Sequence, residues 1–531
     1  MRLVKAAEMR EMDLDATRRY GIPGLILMEN AGLGIVDVIV NRCFRGKPQG
    51  KKVVIVAGPG NNGGDGFVVG RHLFNRGALV KFIISTSPEN YSGDAAVNFK
   101  IINDMGLPYQ VLQPGLINDI KTTIKETDLI VDALFGTGFK GVPREPLVSL
   151  IRMINETGNP VLSVDIPSGL EADTGRVAGE CIKAVITVTM GMPKIGLYLS
   201  PGAQYTGEVV VGDISFPPEL KSEEGGDYYL VDKEMVAREL PMRLPDQHKG
   251  DFGHVVVIGG TRGYTGAAAL ASNAALRGGA GLVTAVVPEQ LYPIAAVKLT
   301  ETMTYPAAGS RGGGFSSTCR ESIQQILEKA TVLAVGPGLG QDAETAEFLE
   351  DLLMNTRIPL VLDADALNII ARKKYLLTTA PLAEQRKHWI LTPHPGEMAR
   401  LCGVSISEIQ SNRLEYAAQA SREWGVVVVL KGNRTVITGP GSPLFINPTG
   451  NPGLASGGTG DVLAGLIASF LAQGLSPEKA AVCGVFIHGL AADQIADKKG
   501  AAGMIAGDLL EEIPVVIENL SALEERGRKA Y

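Results

Sequence analysis

Two apolar-periodic stretches open the chain, at residues 3 to 19 and 25 to 41, and their spacing predicts helices broken by Gly21-Ile22-Pro23-Gly24. Short β-branched runs then recur at 52 to 57, 79 to 84, 128 to 133, 161 to 165 and 184 to 189, with helix-length or loop segments between them. That alternation predicts a parallel sheet, because parallel neighbours need a crossover of a dozen or more residues. Phe216-Pro217-Pro218 and the polar KSEEGGD break the rhythm and read as a linker. A second series follows Tyr228, with strands expected at 254 to 259, 281 to 287, 331 to 335, 358 to 363, 388 to 392 and 426 to 430. The pattern predicts two α/β domains, at 1–222 and 228–520, and a frayed polar tail, SALEERGRKAY.

Composition narrows the classes of function. The chain has 531 residues and 65 glycines, is 45% apolar and only 5% aromatic, and so suits many short elements joined by tight turns. Its net charge is −7 and no dense Lys/Arg block occurs, which argues against nucleic acid as a partner. Five cysteines, Cys43, Cys181, Cys319, Cys402 and Cys483, are too scattered for a disulfide framework or a zinc site. The N-terminus is studded with charge, and no run reads as a membrane span, so a soluble cytoplasmic protein is expected.

Candidate chemistry begins where KKVVIVA runs through GPGNNGGDG into FVVGRHLFNRG, a glycine turn between a strand and a helix N-terminus. Backbone N–H groups in such a turn can hold a phosphate. Gly58, Gly60 and Gly63 satisfy GxGxxG, which by itself is also the mark of any tight strand-to-helix turn. Later strands end in oxygen: Asp132 in IVDALFGTG, and Asp165 and Ser168 in VLSVDIPSG. In an open parallel sheet these ends face one crevice. Asn62, Asp132 and Ser168 could surround a hard cation there, leaving Asp165 for ligand or proton.

MENAG at 28 to 32, GPGNNGGDG, DALFGTG and VDIPSG together resemble the NAD(P)H-hydrate epimerase family across nearly all of the first half. The resemblance implies a Rossmann-like domain with helices on both faces of the sheet. It also implies contacts to the hydrated nucleotide from Asn61, Asn62, Gly63, Gly64 and Asp65, from the loop Gly136, Thr137, Gly138, Phe139, Lys140, Gly141 and Val142, and from Asp165. Potassium would be held by Asn62, Asp132 and Ser168. Inversion at C6 of the hydrated nicotinamide needs a proton donor and acceptor, and Asp165 is the expected carboxylate. Lys194, in MPKIGL, is a further candidate for phosphate or acid–base work.

In the second half, TGNPGLASGGTGD leads directly into the apolar VLAGLIASFLAQG. Gly457, Gly458, Thr459 and Gly460 can turn successive N–H groups toward one anion at a helix start, with Asp461 beside it to accept a hydroxyl proton. No GxxxxGK[ST] segment occurs. The loop with GGTRGYTGAA, GPGLG, DADALN, TPHPGE and KGNRT resembles the ribokinase-like ADP/ATP-dependent NAD(P)H-hydrate dehydratase family. That implies Ala267, Gly338, His394 and Asp461 on the hydrated nucleotide, and Lys431, Gly432, Asn433, Arg434, Thr435 and Gly460 on ADP or ATP. It also implies Glu397 orienting Mg2+ through water.

The expected partners are thus NADHX, NADPHX and ADP or ATP, with identical chains expected to assemble. KGNRT carries Asn433 and Arg434 where small residues are common. Two alternatives stay open: a vitamin-type small-molecule kinase fused to a dinucleotide-binding domain, against which HPGE argues, and a first half that only senses dinucleotide or tethers the second.

Overall fold

The computed structural model describes all residues except 114–116, 223–224 and 530–531, and describes no side chains for 117–119 and 524–529. The chain divides into two compact units, Arg2–Tyr228, and Tyr229–Tyr531 together with Met1. Two residues of KSEEGGD, 223 and 224, lie outside the described residues.

The first unit is wound on a parallel sheet of β1 (Lys52–Ala57), β2 (Leu79–Ile84), β3 (Tyr109–Val111), β4 (Leu129–Ala133), β5 (Val161–Val164), β6 (Ile186–Met190) and β7 (Glu208–Gly212). They lie in the order β3-β2-β1-β4-β5-β6-β7. Strands β1, β4, β5 and β6 are buried almost throughout, as parallel strands covered on both faces must be, which is why their sequences are continuous apolar runs. Register pairs Val56 with Asp132 and Asp132 with Ser163, so the oxygen-bearing strand ends share one edge. The edge strands β3 and β7 were not expected, the first being only three residues long.

Helices form at Ala6–Tyr20 and Gly24–Val38, the second running on through a π turn at Ile39–Cys43. Contrary to expectation, Gly24–Cys43 is long and apolar enough, by length and composition, to cross a membrane. Its charges are too sparse to interrupt the run. The apolar face is used internally: Leu27, Ala31, Ile35, Val36 and Ile39 pack with Val53, Ile55 and Phe67 in the core.

In the second unit the strands are β8 (His254–Ile258), β9 (Leu282–Pro288), β10 (Met303–Ala307), β11 (Val332–Val335), β12 (Leu360–Leu362), β13 (Trp389–Leu391), β14 (Val427–Leu430), β15 (Val436–Thr438) and β16 (Leu444–Ile446). They follow the order β16-β15-β14-β13-β12-β11-β8-β9-β10, parallel except for the antiparallel meander β14-β15-β16. KGNRT makes the first reversal of that meander, with Gly432 at φ +142° and Arg434 at φ +60°. The last helix, Ala506–Lys529, is anchored by buried Leu509, Ile513, Val516 and Leu520 at helical spacing and takes in residues 521–529 of the expected polar tail, whose last two residues lie outside the described ones.

Helix Thr459–Ala472, which starts at the glycine loop, crosses helix Thr265–Arg277 at very close range. A Cβ built on Gly465 would stand 1.9 Å from the Ala271 carbonyl oxygen. Gly465→Ala should therefore cost about 1–3 kcal/mol in a urea unfolding curve of the second unit, because the helices must separate to admit one methyl group. An unchanged midpoint would mean that this crossing does not set the position of the loop.

Candidate active sites

The β1 turn is glycine-rich for close packing. A Cβ on Gly58 would lie 1.9 Å from the Leu134 oxygen, and one on Gly63 would lie 2.0 Å from the Gly58 oxygen. Gly63 and Gly64 are accordingly buried inside the turn, the latter against Met28 and Ala95, and neither lines the adjoining cleft. That cleft, of about 600 Å³, is lined by Asn61, Asn62, Asp65, the loop Gly136–Thr137–Gly138–Phe139, Asp165 and Lys194. Lys140, Gly141 and Val142 lie outside the lining, and the Gly141 N–H donates to Glu171. Phe135 and Phe139 stack at 4.6 Å along one wall.

Asn62, Asp132 and Ser168 meet around the loop that follows β4. The Ser168 hydroxyl donates to Asp132 Oδ1 at 2.6 Å and accepts from the Phe135 N–H at 2.9 Å, while Asn62 Nδ2 donates to the Phe135 oxygen at 2.9 Å. Asp132 also accepts from the Ser163 hydroxyl and the Ser168 N–H, at 2.8 and 2.9 Å. Burial raises the Asp132 carboxyl above its usual range, against the pull of these donors. All three residues are buried and are tied together by hydrogen bonds through the Phe135 backbone and the Ser168 hydroxyl.

Asp165 stands just past β5 in the left-handed region, at φ +64°, a conformation that needs support from its surroundings. Lys194 supplies it. Its ammonium reaches Asp165 Oδ1 at 2.6 Å, the Met190 oxygen at 2.8 Å and Thr189 Oγ1 at 3.2 Å. All three ammonium protons are engaged in this arrangement, which fixes Asp165 in place.

The sequence reading missed Asp13, which comes from helix Ala6–Tyr20 into the same cleft. Burial pushes its carboxyl up to about 6, opposed by Lys194 and reinforced by Asp165. Asp65 is raised well above the usual carboxylate range by burial and by the neighbouring Asp165 and Asp13. Asp13 and Asp65 are thus both easier to protonate than ordinary carboxylates. Only a charged position in an otherwise ordinary amphipathic helix could have pointed to Asp13.

In the second unit, Gly458, at φ +93°, caps helix Thr459–Ala472, so the N–H groups of its first turn point into the loop. The Thr459 hydroxyl is used inside that loop, on the Leu454 and Ser456 oxygens. His488, also not foreseen, holds it from behind: Nε2 donates to the Thr459 oxygen at 2.9 Å, and burial lowers the imidazole to about 4, keeping it neutral. A pocket of about 410 Å³ in front is lined by Lys431, Gly432, Asn433, Thr435, Thr459, Gly460 and His488. Arg434 is not part of this lining, and its guanidinium donates to the Pro448 oxygen. Gly457 is exposed and also outside the lining.

Gly460 abuts an ion pair that the sequence left unassigned. Lys431 Nζ meets Asp363 Oδ1 at 2.6 Å, with Asp363 just past β12 and followed by Ala364 at φ +49°. Gly336 must be glycine here, because its Cβ would lie 1.8 Å from the Asp363 oxygen. Burial works to lower the Lys431 ammonium, but Asp363, Glu397 and Asp461 outweigh it. Burial and Asp363 push Asp461 up to about 7 against the pull of Lys431.

His394 caps the next helix, Pro395–Cys402, its Nδ1 accepting from the Gly396 N–H at 2.9 Å, while burial and the charges of Lys431 and Arg400 lower its ring. Glu397 completes a capping box by accepting from the His394 N–H at 2.8 Å, and burial raises its carboxyl to about 7. Ala267 and Gly338 are adjacent: a Cβ on Gly338 would lie 3.1 Å from that of Ala267. Among the described residues no group of three or more His, Cys, Asp or Glu side chains is arranged to hold a metal.

Fold and sites define a two-unit α/β enzyme that sets strand-end carboxylates beside glycine loops. A family model described as NAD(P)H-hydrate dehydratase matches residues 255–515, and one described as YjeF-related protein N-terminus matches residues 24–196. The chain is 45% identical over 523 residues to the bifunctional NAD(P)H-hydrate repair enzyme Nnr of Moorella thermoacetica, covering 98% of this chain and 97% of that one. It is 35% identical to the Escherichia coli enzyme of the same name, covering 96% and 93%. A crystal structure of the Bacillus subtilis ADP/ATP-dependent NAD(P)H-hydrate dehydratase, co-crystallised with ATP/Mg2+, is 30% identical and covers 55% of this chain and 98% of that one, with a TM-score of 0.46. The chain belongs to the family of bifunctional NAD(P)H-hydrate repair enzymes.

The Lys194–Asp165 pair is almost wholly out of water, with side chains 1% and 14% exposed. Lys194→Met should destabilise the first unit by about 3–5 kcal/mol in urea unfolding, since it leaves a buried carboxylate without its cation. A loss below about 1 kcal/mol would show that Asp165 is supported by its hydroxyl and backbone donors alone.

Proposed function

We infer that this chain repairs hydrated NADH and NADPH, epimerising the hydrates at C6 in the first unit and dehydrating one epimer, at the expense of ADP or ATP, in the second. The observation that carries the reading is the pairing of two strand-end carboxylates, each beside a glycine loop, in a chain that aligns from end to end with bifunctional repair enzymes.

In the first unit the hydrated nicotinamide enters the cleft between the stacked Phe135–Phe139 wall and Asp165. Opening the ring moves the C6 hydroxyl proton to a carboxylate while the C6–N1 bond breaks and N1 gains a proton. Closure on the other face reverses both transfers. Asp165, fixed by Lys194, is the carboxylate beside the reacting carbon, and Asp13 and Asp65 hold further protons in the same cleft. Asn62, Asp132 and Ser168 would hold potassium, which would fix the loop Gly136–Phe139 against its own strand end.

In the second unit the adenine nucleotide lies along Lys431–Asn433, Thr435 and Gly460, with its phosphates toward the N–H groups opening helix Thr459–Ala472. The substrate lies against Ala267, Gly338, His394 and Asp461. Asp461 takes the C6 hydroxyl proton as that oxygen attacks the terminal phosphorus. The C6–O bond then breaks with departure of phosphate, which takes the C5 proton, and the C5–C6 double bond of the dihydronicotinamide is restored. Magnesium would supply charge neutralisation on the phosphates and would be held through water by Glu397. The enzyme is a soluble cytoplasmic one in this reading.

A base held at about 7 is ionised only above that pH, so dehydration should rise through pH 7, about tenfold per unit below it, and level off above. Asp461→Asn should cut dehydration on the order of 10²–10⁴-fold, remove this pH dependence and leave epimerisation intact. Following reduced-cofactor absorbance from a mixture of both epimers checks this; a near wild-type rate would remove Asp461 from the chemistry. Asp132→Asn should weaken activation of epimerisation in a potassium titration at constant ionic strength against sodium. Equal response to both ions in the wild type would remove the cation site.

A further inference from the structure

Beside the second site lies a pocket of about 560 Å³ lined by Gln341, Asn368, Ala371, Arg372 and Arg400, to which no role has been given. Two guanidinium groups border it, and neither is ion-paired among the described residues. Arg400 Nε donates to Asn368 Oδ1 at 2.9 Å, and Arg372 Nη2 donates to the Gln341 carbonyl at 3.2 Å. Neutral partners orient the two forks without neutralising them. Asp365, whose carboxylate holds Gln341 of the same lining, is engaged by the Gly340 N–H at 3.0 Å and by Gln341 Nε2 at 2.7 Å.

The pocket is continuous with the substrate loops. Gln341 directly follows the GPGLG segment that contains Gly338, and a Cβ built on Gly396 would lie 3.8 Å from Arg400 Nη1, which places that guanidinium over the HPGE turn. The charge of Arg400 reaches His394 and Glu397, helping to hold both below where burial and their acidic neighbours would otherwise leave them. Two unpaired cations facing one concavity make a site for a dianion, and a planar guanidinium matches a phosphate monoester in two-point contact. The glycine loops offer N–H groups, which suit the diester-like pyrophosphate, whereas an arginine is what accommodates a phosphate on an adenosine ribose.

We propose that Arg372 and Arg400 form a phosphate cradle at the edge of the dehydratase site and that it receives the 2′-phosphate of hydrated NADPH. The proposal rests on the dehydratase reading of the second unit and adds to it a preference for the phosphorylated hydrate. Arg400 presents its fork over the HPGE turn, and Arg372 closes the other side from the end of helix Asp365–Arg372.

The test compares wild type with Arg372→Gln/Arg400→Gln, in the full chain, on the dehydratable epimers of NADPHX and NADHX at saturating ADP. Loss of two charge-assisted contacts should raise KM for NADPHX on the order of tenfold or more, with kcat and the KM for NADHX changed by less than about twofold. Arg372→Lys/Arg400→Lys should recover part of the loss, since charge remains but the fork does not. Epimerisation by the same chains, measured in parallel, verifies folding. An equal KM rise for both hydrates would assign the arginines to the pyrophosphate and overturn the 2′-phosphate assignment. Unchanged KM for both would overturn the cradle altogether. Should the wild type dehydrate neither hydrate, the dehydratase reading itself fails; calorimetry with adenosine 2′,5′-bisphosphate against 5′-AMP then decides the cradle, which requires a preference for the bisphosphate that the double Gln variant loses.

Discussion

In each half of the molecule one lysine ammonium is pressed against one strand-end aspartate, Lys194 on Asp165 and Lys431 on Asp363, both at 2.6 Å. Neither pair could be left half-made. Removing two charges from water costs several kcal/mol per ion, and only close geometry with further hydrogen bonds repays it. The sheet provides that geometry by ending parallel strands at one edge, neighbouring strands β5 and β6 for the first pair and β12 and β14, on either side of β13, for the second. In both halves the chain then turns through a strained residue, Asp165 itself at φ +64° and Ala364 at φ +49°.

Burial around these pairs sets the protonation of the neighbouring acids. Desolvation, reinforced by nearby carboxylates and opposed by the one lysine, raises Asp13 and Asp65 in the first unit and Asp461 and Glu397 in the second. The arrangement has a cost in stability. A carboxyl lifted from 3.8 to about 7 on folding favours the folded state only while protonated, so its ionisation opposes folding increasingly as pH rises between those values. Retaining Asp461 in that position is the kind of local instability that functional sites keep.

Glycines serve the same end by letting backbone approach backbone. Gly58 fits against Leu134, Gly336 against the oxygen of Asp363, and Gly465 against Ala271, each at a distance that a methyl group would forbid. The first two bring neighbouring strand ends into contact, and the third seats the helix whose first turn carries the anion loop. His488 then fixes the loop from the opposite side while staying neutral, so no extra charge competes with the phosphate.

Periodicity alone determined the strands at the centres of both sheets, because parallel strands buried on two faces must be continuous apolar runs. It also revealed the glycine turns and the oxygen-bearing strand ends, since such residues are unusual next to such runs. It could not reveal β3 or the last two strands of the meander, β15 and β16, three-residue strands specified by neighbours rather than by their own pattern. Nor could it tell Gly63 and Gly64, buried by packing, from Asn62 and Asp65, which face the cleft one residue away on either side. Asp13, Asp363, His488 and the two unpaired arginines became significant only through neighbours far along the chain. Ionisation and unpaired charge depend on what surrounds a side chain in space, and only the tertiary structure decided that.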